Sequence, residues 1–145
     1  MTLFSTSSYG KDLPAWFYKA IKVDTPNQLA YFVEMSKACP FTNETLQNIV
    51  DGVLIRSRIK PLKDDIFVSG RIYLSLEVSC VRLKSGGNPP FSIRVNFARY
   101  EPYPAIIIDK DFGTTGIGPA DFIKQTFKET VENAVTAHIK ANFNL

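Results

Sequence analysis

The chain has 145 residues, a net charge of +3 and a pI of about 8.9, which fits one domain large enough to build a core without staples. Its 45% apolar and 21% charged content is that of an ordinary soluble globular domain. The positive charge is weaker than a dedicated DNA-binding domain carries, so it permits nucleic acid or an acidic membrane without implying either.

Residues 1–11 are polar and rich in Ser and Thr, and read as a flexible arm ahead of a single domain over residues 12–145. They lack a charged stretch followed by an apolar run, so they do not form a secretory signal. No run of roughly 18 apolar residues exists to span a bilayer. A cytoplasmic protein is the expectation. Residues 15–23 fit two templates. Asp12 can cap a short helix with Leu13, Phe17, Ala20 and Ile21 on one face, while Trp16 and Tyr18 alternate against Phe17 and Lys19 as in a strand.

Thr25, Pro26 and Gln28 form a capping-box start, with Leu29, Phe32 and Val33 as the stripe of a helix that stops before Pro40. A second helix begins near Thr42 or Asn43 and buries Leu46, Ile49, Val50 and Val53. Residues 55–63, taken as extended, place Arg56, Arg58 and Lys60 on one face, with Lys63 continuing the basic run. Such a stripe can track phosphates, and it can equally protect a sheet edge. Strands are predicted at 66–69, 71–84, 91–100 and 105–109, the first two joined at Gly70.

The hairpin from Arg71 to Tyr100 carries the clearest pattern. Ile72, Leu74, Leu76, Val78 and Cys80 alternate with polar residues, and Phe91, Ile93, Val95 and Phe97 do the same beyond a Gly/Pro turn. Tyr73, Arg94 and Asn96 lie on the opposite face, which is predicted to be exposed or to meet a partner. Residues 113–118 read as a Gly-rich connector, and a long helix runs from Pro119 to about Asn142.

The predicted fold class is therefore α+β: an antiparallel sheet of about four or five strands, with an N-terminal helix pair and the long C-terminal helix on one face. This element order resembles the helix-grip ligand-binding folds, although no specific motif supports the likeness. The resemblance requires a strand over 15–23. It implies a carrier of a hydrophobic small molecule, its cavity lined by Phe91, Phe97, Phe122 and Phe127.

Chemistry-bearing residues are few. His138, the lone histidine, shares a helix face with Val131 and Ala134 and reads as a satisfied core residue. Cys39 and Cys80 have no motif spacing; Cys80 reads as a small buried apolar side chain, and a Cys39–Cys80 bridge stays the open alternative. Asp109 and Asp111 lack a third acidic ligand nearby to complete a cation site, and the Gly-rich loop has neither phosphate-binding signature. No catalytic residue, metal or cofactor is nominated. The expectation is a non-enzymatic binding or assembly protein, self-associating through its sheet, for which the basic segment permits nucleic-acid contact. A viral or mobile-element origin would suit a small domain of this kind. An enzyme built on Asp109, Asp111 and the Gly-rich loop is the remaining competitor.

Overall fold

The computed structural model describes residues 13–101 and 106–143. The arm expected over residues 1–11, the cap at Asp12 and the connector at 102–104 lie outside them. The described elements are α1 (Ala15–Ala20), β1 (Gln28–Met35), α2 (Asn43–Arg56), β2 (Lys60–Lys63), β3 (Ile72–Cys80), β4 (Pro90–Arg99), β5 (Ile106–Asp111), β6 (Thr114–Ile117) and α3 (Ala120–Asn142). They build one sheet in the order β2-β1-β3-β4-β5, with β6 also paired to β4.

The β3–β4 hairpin forms in the predicted register. Leu74 faces Phe97, Leu76 faces Val95 and Val78 faces Ile93. All of these side chains are buried. The linking turn uses Gly86 and Gly87 at φ 75° and 89°, where a side chain would be strained.

The sheet is mixed, not antiparallel, because the segment predicted as the first helix is strand β1. It pairs in parallel with both β2 and β3. Leu29, Phe32 and Val33 fit a helical stripe, but Leu29 through Val33 is also a continuous run of five apolar residues. Such runs mark strands covered on both faces, and the aromatic and β-branched members favour extended backbone. The Thr25/Gln28 pair forms a turn instead of a cap, with Gln28 Nε2 donating to Thr25 Oγ1 at 3.2 Å.

There is accordingly no N-terminal helix pair. Residues 15–20 are a short helix, and α2 is the crossover between the parallel strands β1 and β2. Both results remove the helix-grip resemblance. Helix α2 starts as predicted: Thr42 is its N-cap and accepts from Thr45 N at 3.2 Å. It runs further than expected, so Arg56 is helical and Arg58 occupies a left-handed turn at φ 60°. Only Lys60 to Lys63 is extended. Residues 66–69 form a loop, not a strand, and Gly70 at φ 79° turns that loop back into β3.

Residues 114–117 are also more ordered than a connector. Strand β6 pairs with β4 from Pro90 to Ile93, beside the stretch of β4 that pairs β5. Between β5 and β6, Phe112 N donates to Val95 O at 2.9 Å, and the Phe112 ring turns into the core.

All three helices cover one face of the sheet. Phe17 of α1, Leu46, Val50 and Leu54 of α2, and Ile123, Phe127 and Val131 of α3 join the inward side chains of β1, β3 and β4 in one cluster. Phe17, Phe97 and Phe112 form a ring trio with all centroid separations at 6.0 Å. At roughly 1.5 Å per residue, α3 is long enough to lie across the whole sheet. Its buried hydroxyls return bonds to the helix: Thr126 donates to Phe122 O and Thr130 to Thr126 O, both at 2.8 Å.

Candidate functional site

The two faces of the sheet differ in what covers them. Helices bury the inner face, whereas among the described residues the outer face carries the loop between β2 and β3. Register makes its composition explicit. Leu62 pairs with Ala30, Ala30 with Tyr73, Tyr73 with Ala98 and Ala98 with Ile107. Paired residues point to the same side, so one apolar row crosses five strands. The next rows are Phe32–Ser75–Asn96 and then Glu34–Glu77–Arg94. The face therefore grades from apolar at one end of the strands to charged at the other.

The apolar end is a second small core. Ala30, Ile66, Tyr73 and Ala98 are buried there, with Phe32, Leu62 and Tyr100 packed around them. Tyr73, predicted to be exposed, is only 7% accessible because Ile66 and its neighbours cover it. Asn96 is only 9% accessible; of the three residues predicted on the exposed face, only Arg94 is exposed.

The covering loop is firmly held. Gly70 N donates to Tyr100 O at 2.7 Å, and Tyr100 N to Arg71 O at 2.9 Å. The Arg71 guanidinium reaches both the carboxylate of Asp65 at 3.0 Å and its backbone oxygen at 2.9 Å. On this scaffold Phe67 stands 70% exposed, edge-on to Tyr100 at 5.4 Å. Ile107 closes the far end of the row at 60% exposed. Sequence reasoning missed Phe67 because it was placed in a strand; the neighbouring Asp64-Asp65 and Gly70 were the signals for a loop. Beside the loop, a cleft of about 290 Å³ is lined by Lys22, Asp24, Gln28, Val68 and Arg71 among others.

The other nominated residues are dispersed. Arg56, Arg58, Lys60 and Lys63 are exposed, but they sit on a helix end, a turn and a short edge strand, and so do not form one face of an extended stripe. Phe91 packs edge-on against Phe122 at 5.9 Å, Phe97 joins the ring trio, and Phe127 is fully buried in the core. Asp109 and Asp111 fall in β5, and their side chains lie outside the described parts.

His138 and Tyr31 are fully buried and serve as struts. The Tyr31 hydroxyl donates to Asp51 Oδ1 at 2.6 Å, joining β1 to α2. Burial and this carboxylate push the phenol far above its ordinary range. His138 Nε2 lies 2.8 Å from Pro26 O, an acceptor, so Nε2 carries the proton. Asn142 accepts from Val23 N at 2.9 Å and donates to Ile21 O at 3.3 Å. Together they fasten the α1–β1 link to α3.

Burial lowers the His138 pKa below its usual 6.5, only partly opposed by the bond to Pro26. The unfolded chain then binds a proton that the folded chain refuses. Stability is complete above about pH 6.5 and falls as pH drops below it, by at most about 1.4 kcal/mol per pH unit. Urea midpoints at pH 7.5 and 5.5 check this; the decline should flatten in His138→Gln.

The cysteines are corrected outright. Cys39 and Cys80 form a disulfide with Cα atoms 5.0 Å apart, not two inert thiols. No helix among the described residues is long and apolar enough to cross a membrane.

No known family model matches the chain, and no curated protein matches it. Among the solved structures similar to part of it are the following three. A PelC dodecamer from Paraburkholderia phytofirmans aligns with TM-score 0.48 and 17% identity over 72% of this chain and 84% of that one. A minor lipoprotein from Acinetobacter baumannii gives 0.37 and 9% over 77% and 91%. Protein XCC0632 from Xanthomonas campestris gives 0.32 and 10% over 75% and 80%. Scores below 0.5 do not establish a common fold.

Proposed function

We propose that this protein is a non-enzymatic binding and assembly module that pairs with a second copy of itself through the outer face of its sheet. The observation that carries this reading is the pair of exposed apolar side chains at the apolar end of that face, Phe67 on the clamped loop and Ile107 on β5, seated around the buried Ala30, Tyr73 and Ala98. A clamped loop that presents an aromatic ring loses little freedom on association, which is the property of an interface anchor. The residues best suited to chemistry are already engaged: His138 holds a backbone carbonyl and the cysteines hold each other.

The charge pattern favours a second copy as the occupant. A two-fold axis along the strands lays each row on its own copy in reverse order. The apolar ends then face each other with Phe67 and Ile107 as their exposed members, Arg94 of one copy comes over Glu34 of the other, and Glu77 faces its own copy at the centre of the row. Unlike charges at such positions fix orientation more than they add affinity.

Sedimentation velocity over a wide concentration range tests the reading. The native chain should show a concentration-dependent dimer. Phe67→Ser combined with Ile107→Ser should raise the dissociation constant at least roughly thirty-fold, about 2 kcal/mol. Both side chains are exposed, so circular dichroism should be unchanged. A native chain that stays monomeric at every concentration overturns the proposal, as does a double variant that dimerises equally well.

A further inference from the structure

We propose that this chain reaches its native state in an oxidising compartment, where Cys39 and Cys80 are joined by thiol–disulfide exchange. They are the only cysteines of the chain, 41 positions apart in sequence. The fold brings them together through the parallel seam between β1 and β3. Met35 pairs with Val78, and Ser36 N continues the ladder to Val78 O at 3.0 Å. A turn with Cys39 N bonded to Ser36 O at 3.3 Å then folds Cys39 back over the end of β3. Cys80 follows Val78 on the inward side, and its backbone N–H donates to Ser36 Oγ at 2.9 Å. Local hydrogen bonds thus set both cysteines in place independently of the sulfur–sulfur bond.

Burial makes the timing of oxidation matter. Each cysteine is only 7% exposed. A thiol this deep is reached by few oxidants once the chain has folded, and the finished bridge is equally shielded from reductants. The bridge therefore forms during folding. In a reducing cytosol, glutathione and thioredoxin hold such pairs as thiols. This departs from the cytoplasmic expectation drawn from the sequence.

The chemistry needs an oxidant that itself carries a disulfide, either a protein dithiol catalyst in its oxidised form or oxidised glutathione. One cysteine thiolate attacks a sulfur of that disulfide and expels a thiolate, leaving a mixed disulfide. The second cysteine thiolate attacks the protein sulfur of the mixed disulfide, and the second oxidant thiolate leaves. The chain loses two electrons, the oxidant disulfide gains two, and the two protons pass to the departing thiolates.

The test uses the full chain, denatured, fully reduced and refolded in two glutathione buffers, one at a secretory and one at a cytosolic redox poise. Acid quenching, denaturation and alkylation with a mass-tagging maleimide count the free thiols. The expected result is no adduct at the secretory poise, and two adducts after subsequent full reduction. Native yield, read as protease resistance, should be several-fold higher at the secretory poise. Chain refolded from the reduced state without oxidant should melt roughly 10–15 °C below the oxidised chain, whereas Cys39→Ala/Cys80→Ala should melt alike after either refolding. Two free thiols in folded protein at the secretory poise overturn the proposal. So do equal yields at the two poises, or equal melting temperatures of the native-sequence chain refolded with and without oxidant.

Discussion

Reducing the Cys39–Cys80 bridge is expected to destabilise the protein by about 4 kcal/mol. Closing a loop over a sequence separation of 41 removes conformational freedom from the unfolded chain, and the loop-entropy relation gives about that value at 25 °C. Total stabilities run from about 5 to 15 kcal/mol, so the loss takes a large share of the reserve. Urea unfolding of the oxidised and reduced forms measures it. The reduced form should also show a steeper denaturant dependence, because its unfolded state exposes more surface. A difference under about 1 kcal/mol would mean that the seam between β1 and β3 is held by its hydrogen bonds alone.

Truncation of the ring trio should cost a similar amount. Phe97 is fully buried, and its ring meets Phe17 and Phe112 at 6.0 Å each. The three rings come from β4, α1 and the β5–β6 junction, so this contact fastens α1 to the β4–β5–β6 part of the sheet. Phe97→Ala removes a buried ring and leaves a cavity that three elements must close, costing about 3–5 kcal/mol. Phe97→Leu keeps most of the apolar volume and should cost about 1–2 kcal/mol. Thermal and urea unfolding of both variants check the order. An alanine variant no weaker than the leucine variant would show that the rings do not act as a packed unit.

Elements whose pattern is local could be read from the chain. The β3–β4 hairpin announces itself by period-two alternation on both sides of a Gly/Pro turn. Helix α3 does so by a long 3.6-residue stripe, and α2 by its Thr42 cap. The parallel part of the sheet was hidden because a strand covered on both faces has no alternation to detect. One misread element then concealed others. Without β1 beside β3, nothing in the sequence brings Cys39 near Cys80, so the bridge stayed only an alternative to a buried thiol. Strand β6 was hidden for another reason: Gly113, Gly116 and Gly118 look like a flexible connector, and only its pairing with Pro90–Ile93 makes it a strand. On the outer face, Arg94 was correctly read as exposed. The apolar row depends on register across five strands, and most of that register is long-range.

The rims of the sheet bear on how copies can multiply. At one rim, β2 is four residues long and reads Lys-Pro-Leu-Lys. Pro61 has no N–H to offer an incoming strand, and flanking ammonium groups resist apposition of an identical rim. At the other rim, the boundary strand is interrupted where β5 gives way to β6 at Phe112 and Gly113. Among the described residues neither border offers a long straight template for an incoming strand. The proposed pairing through the outer face closes at two copies, so a concentrated solution should hold discrete particles, not threads.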